Sequence, residues 1–169
     1  MSESKHGKYI IRQPIVKGRW FPSIHVCGFE ECAGFSGFPV DLQIETIKET
    51  YIMEEKTHVH LDADELLFFL GGNPQNFFEF DAEIEFYMGK EKEKHLIDTP
   101  AIVFIPSGLP HNPLIYKRVS KPLIFCHLLL APKYFRTIEG KTIYIRNHKE
   151  RAQYYSPEEI KILRLKSNH

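Results

Sequence analysis

His58, Val59 and His60 set two imidazoles one residue apart. Side chains of a β-strand alternate between faces, so such a pair points the same way with Cα atoms roughly 6 to 7 Å apart. Two imidazoles so placed can share one metal ion. In isolation they can equally be solvent-facing polar residues on an edge strand. Carboxylates follow closely, from Asp62, Asp64 and Glu65, and then the apolar run LLFFL at 66–70.

Other residues invite a chemical reading with less force. His127 interrupts the apolar run PLIFCHLLLA at 122–131. It is either a core histidine bonded to backbone or carboxylate, or an acid–base residue lining a pocket. Glu83, Glu85 and Tyr87 share one face of the alternating stretch FEFDAEIEFYM at 78–88. That face is either a solvated exterior or the wall of a cavity in which these groups move protons. His95 adjoins the charged run KEKEK at 90–94 and is expected to be exposed, while His6, His148 and His169 carry no spacing signal.

The elements that must hold these groups are strands. LQIETIKETYIM, ELLFFLGG, FEFDAEIEFYM, AIVFIPSG and PLIFCHLLLA are rich in β-branched and aromatic residues and separated by Gly, Pro and Asn turn signals. Such a series makes a sandwich or a barrel. KEKEK reads as the solvated tip of a hairpin, which also protects a sheet edge. Near the C-terminus, Ser156-Pro157-Glu158-Glu159 before IKILRL has the N-cap, the proline and the capping-box glutamate of a short helix. Its apolar residues require packing against the barrel or a second subunit, as a brace.

Composition narrows the partners. A chain of 169 residues is one domain of ordinary size that can bury a core without disulfides or a metal. With 22 basic and 22 acidic residues, and no basic block, it lacks the charge of a nucleic-acid surface or a polybasic membrane anchor. A small-molecule partner is expected. No apolar run approaches the ~18 residues of a membrane span, and the N-terminus lacks a signal-peptide core, so a cytoplasmic protein is expected. The three cysteines Cys27, Cys32 and Cys126 are then expected as reduced thiols. A separate site of His25, Cys27 and Cys32 is set aside, since zinc needs four ligands at tighter spacing.

Taken together, His58-x-His60 with Glu65 and Gly72, then Pro106-x-Gly108-x-x-His111, resemble the two motifs of the cupin superfamily, HxHxxxxE with a trailing glycine and PxGxxH. The resemblance implies an all-β jelly-roll barrel, a double-stranded β-helix, with one metal held inside it by His58, His60, Glu65 and His111. It spans 40–131, leaving 1–39 as an N-terminal strand extension and 132–169 as a C-terminal extension with the short helix, both packed on the same domain. The pattern departs at Ile52 and Pro100, where turn glycines are expected, and at Asn112, where the asparagine is displaced. Glu65 is preferred to Asp62 or Asp64 because its spacing fits and because it heads an apolar strand, where an inward carboxylate would otherwise be an uncompensated charge. Three imidazoles and a carboxylate suit one divalent ion of iron, manganese, zinc, nickel or copper.

The resemblance implies a metal-dependent enzyme acting on a small oxygen-bearing organic molecule, as an isomerase, lyase, decarboxylase or dioxygenase. The alternative is a non-catalytic barrel that binds or senses a small ligand, and a third reading is a barrel without metal. Cupin barrels often pair through edge strands, so a homodimer is expected, with RWFPSIHVCGF (19–29) laid across a partner's sheet. Trp20, in that segment, is expected to be packing surface.

Overall fold

Alternation along the strands sorts them into two sheets that face each other across one core. The computed structural model describes residues 5–12, 14–17, 22–28, 35, 37–144, 156, 158–159 and 161–162. Its strands are β1 (Ile15–Lys17), β2 (Pro22–Val26), β3 (Asp41–Ile47), β4 (Tyr51–Glu54), β5 (Glu65–Gly71), β6 (Ala82–Met88), β7 (Glu93–Ile97), β8 (Ala101–Ile105), β9 (His111–Val119), β10 (Leu123–Leu129), β11 (Phe135–Ile138) and β12 (Lys141–Tyr144). One sheet has the order β1-β2-β3-β10-β5-β8, the other β4-β9-β6-β7, and β11 and β12 form a separate hairpin.

The pairing is nested: β3 with β10, β4 with β9, β5 with β8, β6 with β7, every pair antiparallel. A chain paired in this way is a long two-stranded ribbon, closed at the β6–β7 tip and rolled on itself. This is the jelly roll, or double-stranded β-helix, expected from the sequence. Between the sheets lie Leu67, Phe69, Ile84, Phe86, Leu114, Tyr116, Leu123 and Phe125, all buried.

Several expectations are corrected. LQIETIKETYIM is not one strand: the chain leaves one sheet after Ile47 and enters the other at Tyr51. Pro22–Val26, the described core of RWFPSIHVCGF, pairs with β1 and β3 of its own chain, so its backbone bonds are already used and it is no added strand for a partner. Trp20 lies outside the described residues. Cys27 is disulfide-bonded rather than a reduced thiol, and its partner lies outside the described residues; Phe35 N–H donates to the Cys27 carbonyl at 3.2 Å. Cys126 is free. Of the C-terminal helix, 158–159 and 161–162 are helical, and the capping box forms, with Glu159 N–H donating to Ser156 Oγ and Ser156 N–H to Glu159. Lys17 of β1 ties this segment to the barrel through Glu159 at 2.8 Å. No helix among the described residues is long and apolar enough to cross a membrane.

The glycine that trails the first motif has a steric cause. A Cβ on Gly72 would stand 2.4 Å from the Pro122 carbonyl oxygen, and one on Gly71 2.6 Å from those of Phe77 and Glu79. Gly72→Ala is expected to cost about 1 to 3 kcal/mol in urea denaturation, with exposed Lys90→Ala within about 0.5 kcal/mol of the parent.

Candidate metal centre

The two histidines of the first motif are positioned by their backbone. His58 and His111 exchange both backbone hydrogen bonds, each at 3.1 Å, as a directly opposed antiparallel pair. Residues opposed in this way carry their side chains on one face. Val59 does the same with Thr137 of β11, at 3.0 and 2.8 Å, and the His60 carbonyl accepts from Gly108 N–H at 2.9 Å. The segment 58–60 is thus stitched to two distant stretches, 108–111 and β11. Glu65 opens β5 with its side chain inward.

The resulting cluster is buried. His58, His60, Glu65 and His111 are each at most 4% exposed. The imidazole centroids lie 4.4 Å apart for His58–His111, 5.0 Å for His58–His60 and 5.1 Å for His60–His111. Each ring is held at Nδ1 by a backbone carbonyl: His58 by Lys56 at 3.3 Å, His60 by Phe135 at 2.5 Å, His111 by Leu109 at 3.0 Å. The Asn112 amide also lies 3.3 Å from His58 Nδ1.

A carbonyl only accepts, so in neutral His60 and His111 the proton sits on Nδ1 and Nε2 presents a lone pair. His60 Nε2 and His111 Nε2 then face Glu65 Oε2 at 3.4 and 3.2 Å, and all three atoms are buried without a hydrogen-bond partner. Acceptors turned toward one another repel unless a cation stands between them. The ring nitrogens of His58, His60 and His111 lie close enough to hold a metal ion, and the orphaned Nε2 and Oε2 atoms fit one.

His127 belongs to the same constellation. Its Nε2 lies 2.6 Å from Glu65 Oε1, and His60, Glu65 and His127 form a second, overlapping group with metal-ligand spacing. The two oxygens of Glu65 thus have different company. Burial works to raise the Glu65 pKa, but His127 and the contacts of His111 and His60 outweigh it and hold the carboxyl well below its ordinary value. Burial works to lower His127, and the Glu65 charge overcomes it, so His127 is raised. For His58, burial and then repulsion by His111 and His60 push the ring down to about 3, so it is neutral.

The cluster opens onto a cavity of about 340 Å³ that also reaches Gln43, Glu45, Tyr51, Phe125, Tyr134 and Arg136. Asp62 and Asp64 take no part: Asp64 accepts from Ser107 N–H at 2.8 Å, and Asp62 donates its N–H to Ser107 Oγ at 2.9 Å. Of the two readings of Glu83, Glu85 and Tyr87, the exterior face is the one observed. They point away from the inward residues Ala82, Ile84 and Phe86 and line no part of the cavity, and Glu85 accepts from Lys94 and from Tyr87 on the outer face. His25, read only in a discarded cysteine site, pairs with buried Asp41 at 3.0 Å. The C-terminal extension, of which only the short helix was expected to act as a brace, supplies Tyr134 and Arg136 to the cavity wall and the Phe135 carbonyl to His60.

The fold is shared with Peruvianin-I, the cysteine peptidase from Thevetia peruviana latex, at 13% identity over 82% of this chain and 81% of that one, with a TM-score of 0.53. A recombinant oxalate oxidase in complex with glycolate aligns at 11% identity over 69% of this chain and 53% of that one, TM-score 0.47. A cupin protein from Bacteroides fragilis aligns at 13% identity over 55% and 66% respectively, TM-score 0.40. The chain therefore spans about half the length of the oxalate oxidase. No family model matches the chain, and no curated protein matches it. At such identities the likeness is one of fold, and the chemistry rests on the residues of this chain.

The depressed His58 predicts how the metal-free protein responds to acid. The unfolded ring protonates near its ordinary 6.5 and the folded one only near 3. Stability from this group is therefore complete above pH 6.5 and drains away as pH falls toward 3. Raised His127 has the opposite sign, contributing fully below pH 6.5 and losing its effect as pH rises. In chelator, urea denaturation from pH 7 to 5 is expected to show a steeper loss in the parent than in His58→Gln, by up to about 1.4 kcal/mol per pH unit. Parallel profiles would mean that the ring titrates in the folded state as it does in the unfolded one.

Proposed function

We propose that this cupin-fold chain is a metal-dependent enzyme acting on a small oxygen-bearing organic molecule, by isomerisation, elimination, decarboxylation or dioxygenation. The ligands assigned are His58, His60, Glu65 and His111, for one divalent iron, manganese, zinc, nickel or copper ion. One observation carries the reading: imidazole nitrogens fixed as lone-pair donors meet an orphaned carboxylate oxygen at the wall of a ligand-sized cavity. A bound ion of this kind supplies Lewis-acid polarisation of a ligand oxygen.

The chain's own side chains supply the rest. His127 Nε2 stands 2.6 Å from Glu65 Oε1, and it is where a proton can be held beside the centre. Tyr134 packs its ring against both His60 and His127 at 5.4 and 5.2 Å, keeping water from that flank. Leu67, Leu114 and Phe125 give the cavity an apolar wall against which a substrate is desolvated.

Elemental analysis of untagged protein by plasma mass spectrometry is expected to find close to one transition metal per chain, and almost none in a His58→Ala, His111→Ala double variant. Iron directs the next assay to oxygen consumption, the others to isomerisation or decarboxylation. Turnover by the parent that is lost in His111→Ala marks an enzyme; ligand binding without turnover marks a non-catalytic barrel. Metal-free protein after reconstitution would leave the histidines as pocket polar groups only.

The proposed assembly is a homodimer. Its support is apolar side chains left outside: Ile102 and Phe104 of β8, an edge strand, are 63% and 56% exposed. Light scattering on a gel-filtration peak is expected to give twice 19.8 kDa, and the monomer mass for Phe104→Asp.

A further inference from the structure

The inward face of the six-stranded sheet is laid out in rows by its register. Asp41, Leu129, Glu65 and Ile105 form the row at the metal cluster; Gln43, His127, Leu67 and Val103 form the next; Glu45, Phe125, Phe69 and Ala101 the one beyond. Rows are two residues apart, so Glu45 lies about 13 Å of strand from the row of Glu65. One cavity nevertheless touches both, with Leu67, Leu114, Phe125 and Met53 along its length.

At this far end two polar groups stand without a hydrogen bond among the described residues. The Glu45 carboxyl, partly buried, makes no hydrogen bond or ion pair among the described residues. Tyr116, fully buried in the same region and stacked on Tyr51 at 5.2 Å, has a hydroxyl without a hydrogen-bond partner. A strand reading LQIET would bury its leucine and isoleucine by default. Here Leu42 and Ile44 face outward, and Gln43 and Glu45 are spent on the cavity. Nothing in the barrel's own packing uses that carboxyl.

We propose that Glu45 is the specificity-determining contact at the far end of the cavity, receiving a hydroxyl or amine of an elongated ligand whose other end, an oxygen acid, lies at the histidine cluster and whose body is apolar and about the width of one ring. The near end rests on the metal-centred reading; the far end does not. Burial raises the Glu45 pKa against the pull of His127 and His25. A ligand meeting it thus gives a partner to a carboxyl that has no hydrogen bond among the described residues.

The test compares 4-hydroxycinnamate with cinnamate by calorimetric titration of zinc-loaded protein, zinc content being measured on each sample. In the parent, the hydroxylated acid is expected to bind at least tenfold more tightly. Glu45→Leu is expected to bring the ratio to about one by weakening the hydroxylated acid and sparing the plain one. Glu45→Gln, which still accepts a hydrogen bond, is expected to keep the ratio within about threefold of the parent's, and thermal melts verify that both variants fold. Equal affinities in the parent, a ratio unmoved by Glu45→Leu, or no binding of either acid would overturn the proposal. Chelated protein separates the two readings: failure of the metal centre alone leaves both affinities unchanged on chelation while the ratio persists, whereas failure of the Glu45 contact abolishes the ratio with zinc still bound.

Discussion

Glu65 places an anion inside a β-barrel at 3% exposure, and the surrounding structure is arranged to make that tolerable. A buried carboxylate that faced only apolar residues would take up a proton. This one is met by imidazoles on both oxygens, His127 on one side and His60 and His111 on the other. The His60 and His111 rings are themselves committed through Nδ1, so their Nε2 atoms and Glu65 Oε2 stand together without a hydrogen-bond partner, an arrangement that a cation would reconcile. The jelly roll delivers these groups because its nested pairing brings the starts of β5 and β9 beside the segment 58–60.

The ligand candidates were legible because each is encoded by a simple rule. His58 and His60 follow the two-residue period of a strand, and Glu65 announces itself as an acid at the head of an apolar run. The trailing glycine is a steric necessity against Pro122. The spacing to His111 was legible only as a pattern; its cause, a reciprocal backbone pair with His58, appears in the folded chain.

What the sequence hid has equally definite causes. The anchors of the three rings are backbone carbonyls of Lys56, Leu109 and Phe135, and a carbonyl carries no residue signature. Alternation says which residues share a face, not which face is inside. For β6 the ordinary choice holds, with Ile84 and Phe86 within and Glu85 outside. For β3 it is reversed, and Glu45 enters the cavity in place of Ile44. Tyr134 and Arg136 sit beyond the motif-bearing stretch, where no local spacing tied them to the histidines.

The bond between His60 and Phe135 spans 75 residues, and the other anchor of this neighbourhood, the pairing of Val59 with Thr137, spans a similar stretch. During synthesis the first-motif histidines leave the ribosome long before β11 exists. Until then His60 has no partner at Nδ1 and is free to rotate or to present the wrong tautomer. The His60 ring takes its final orientation only once β11 supplies the Phe135 carbonyl, so that orientation is coupled to the docking of the C-terminal hairpin rather than to closure of the barrel.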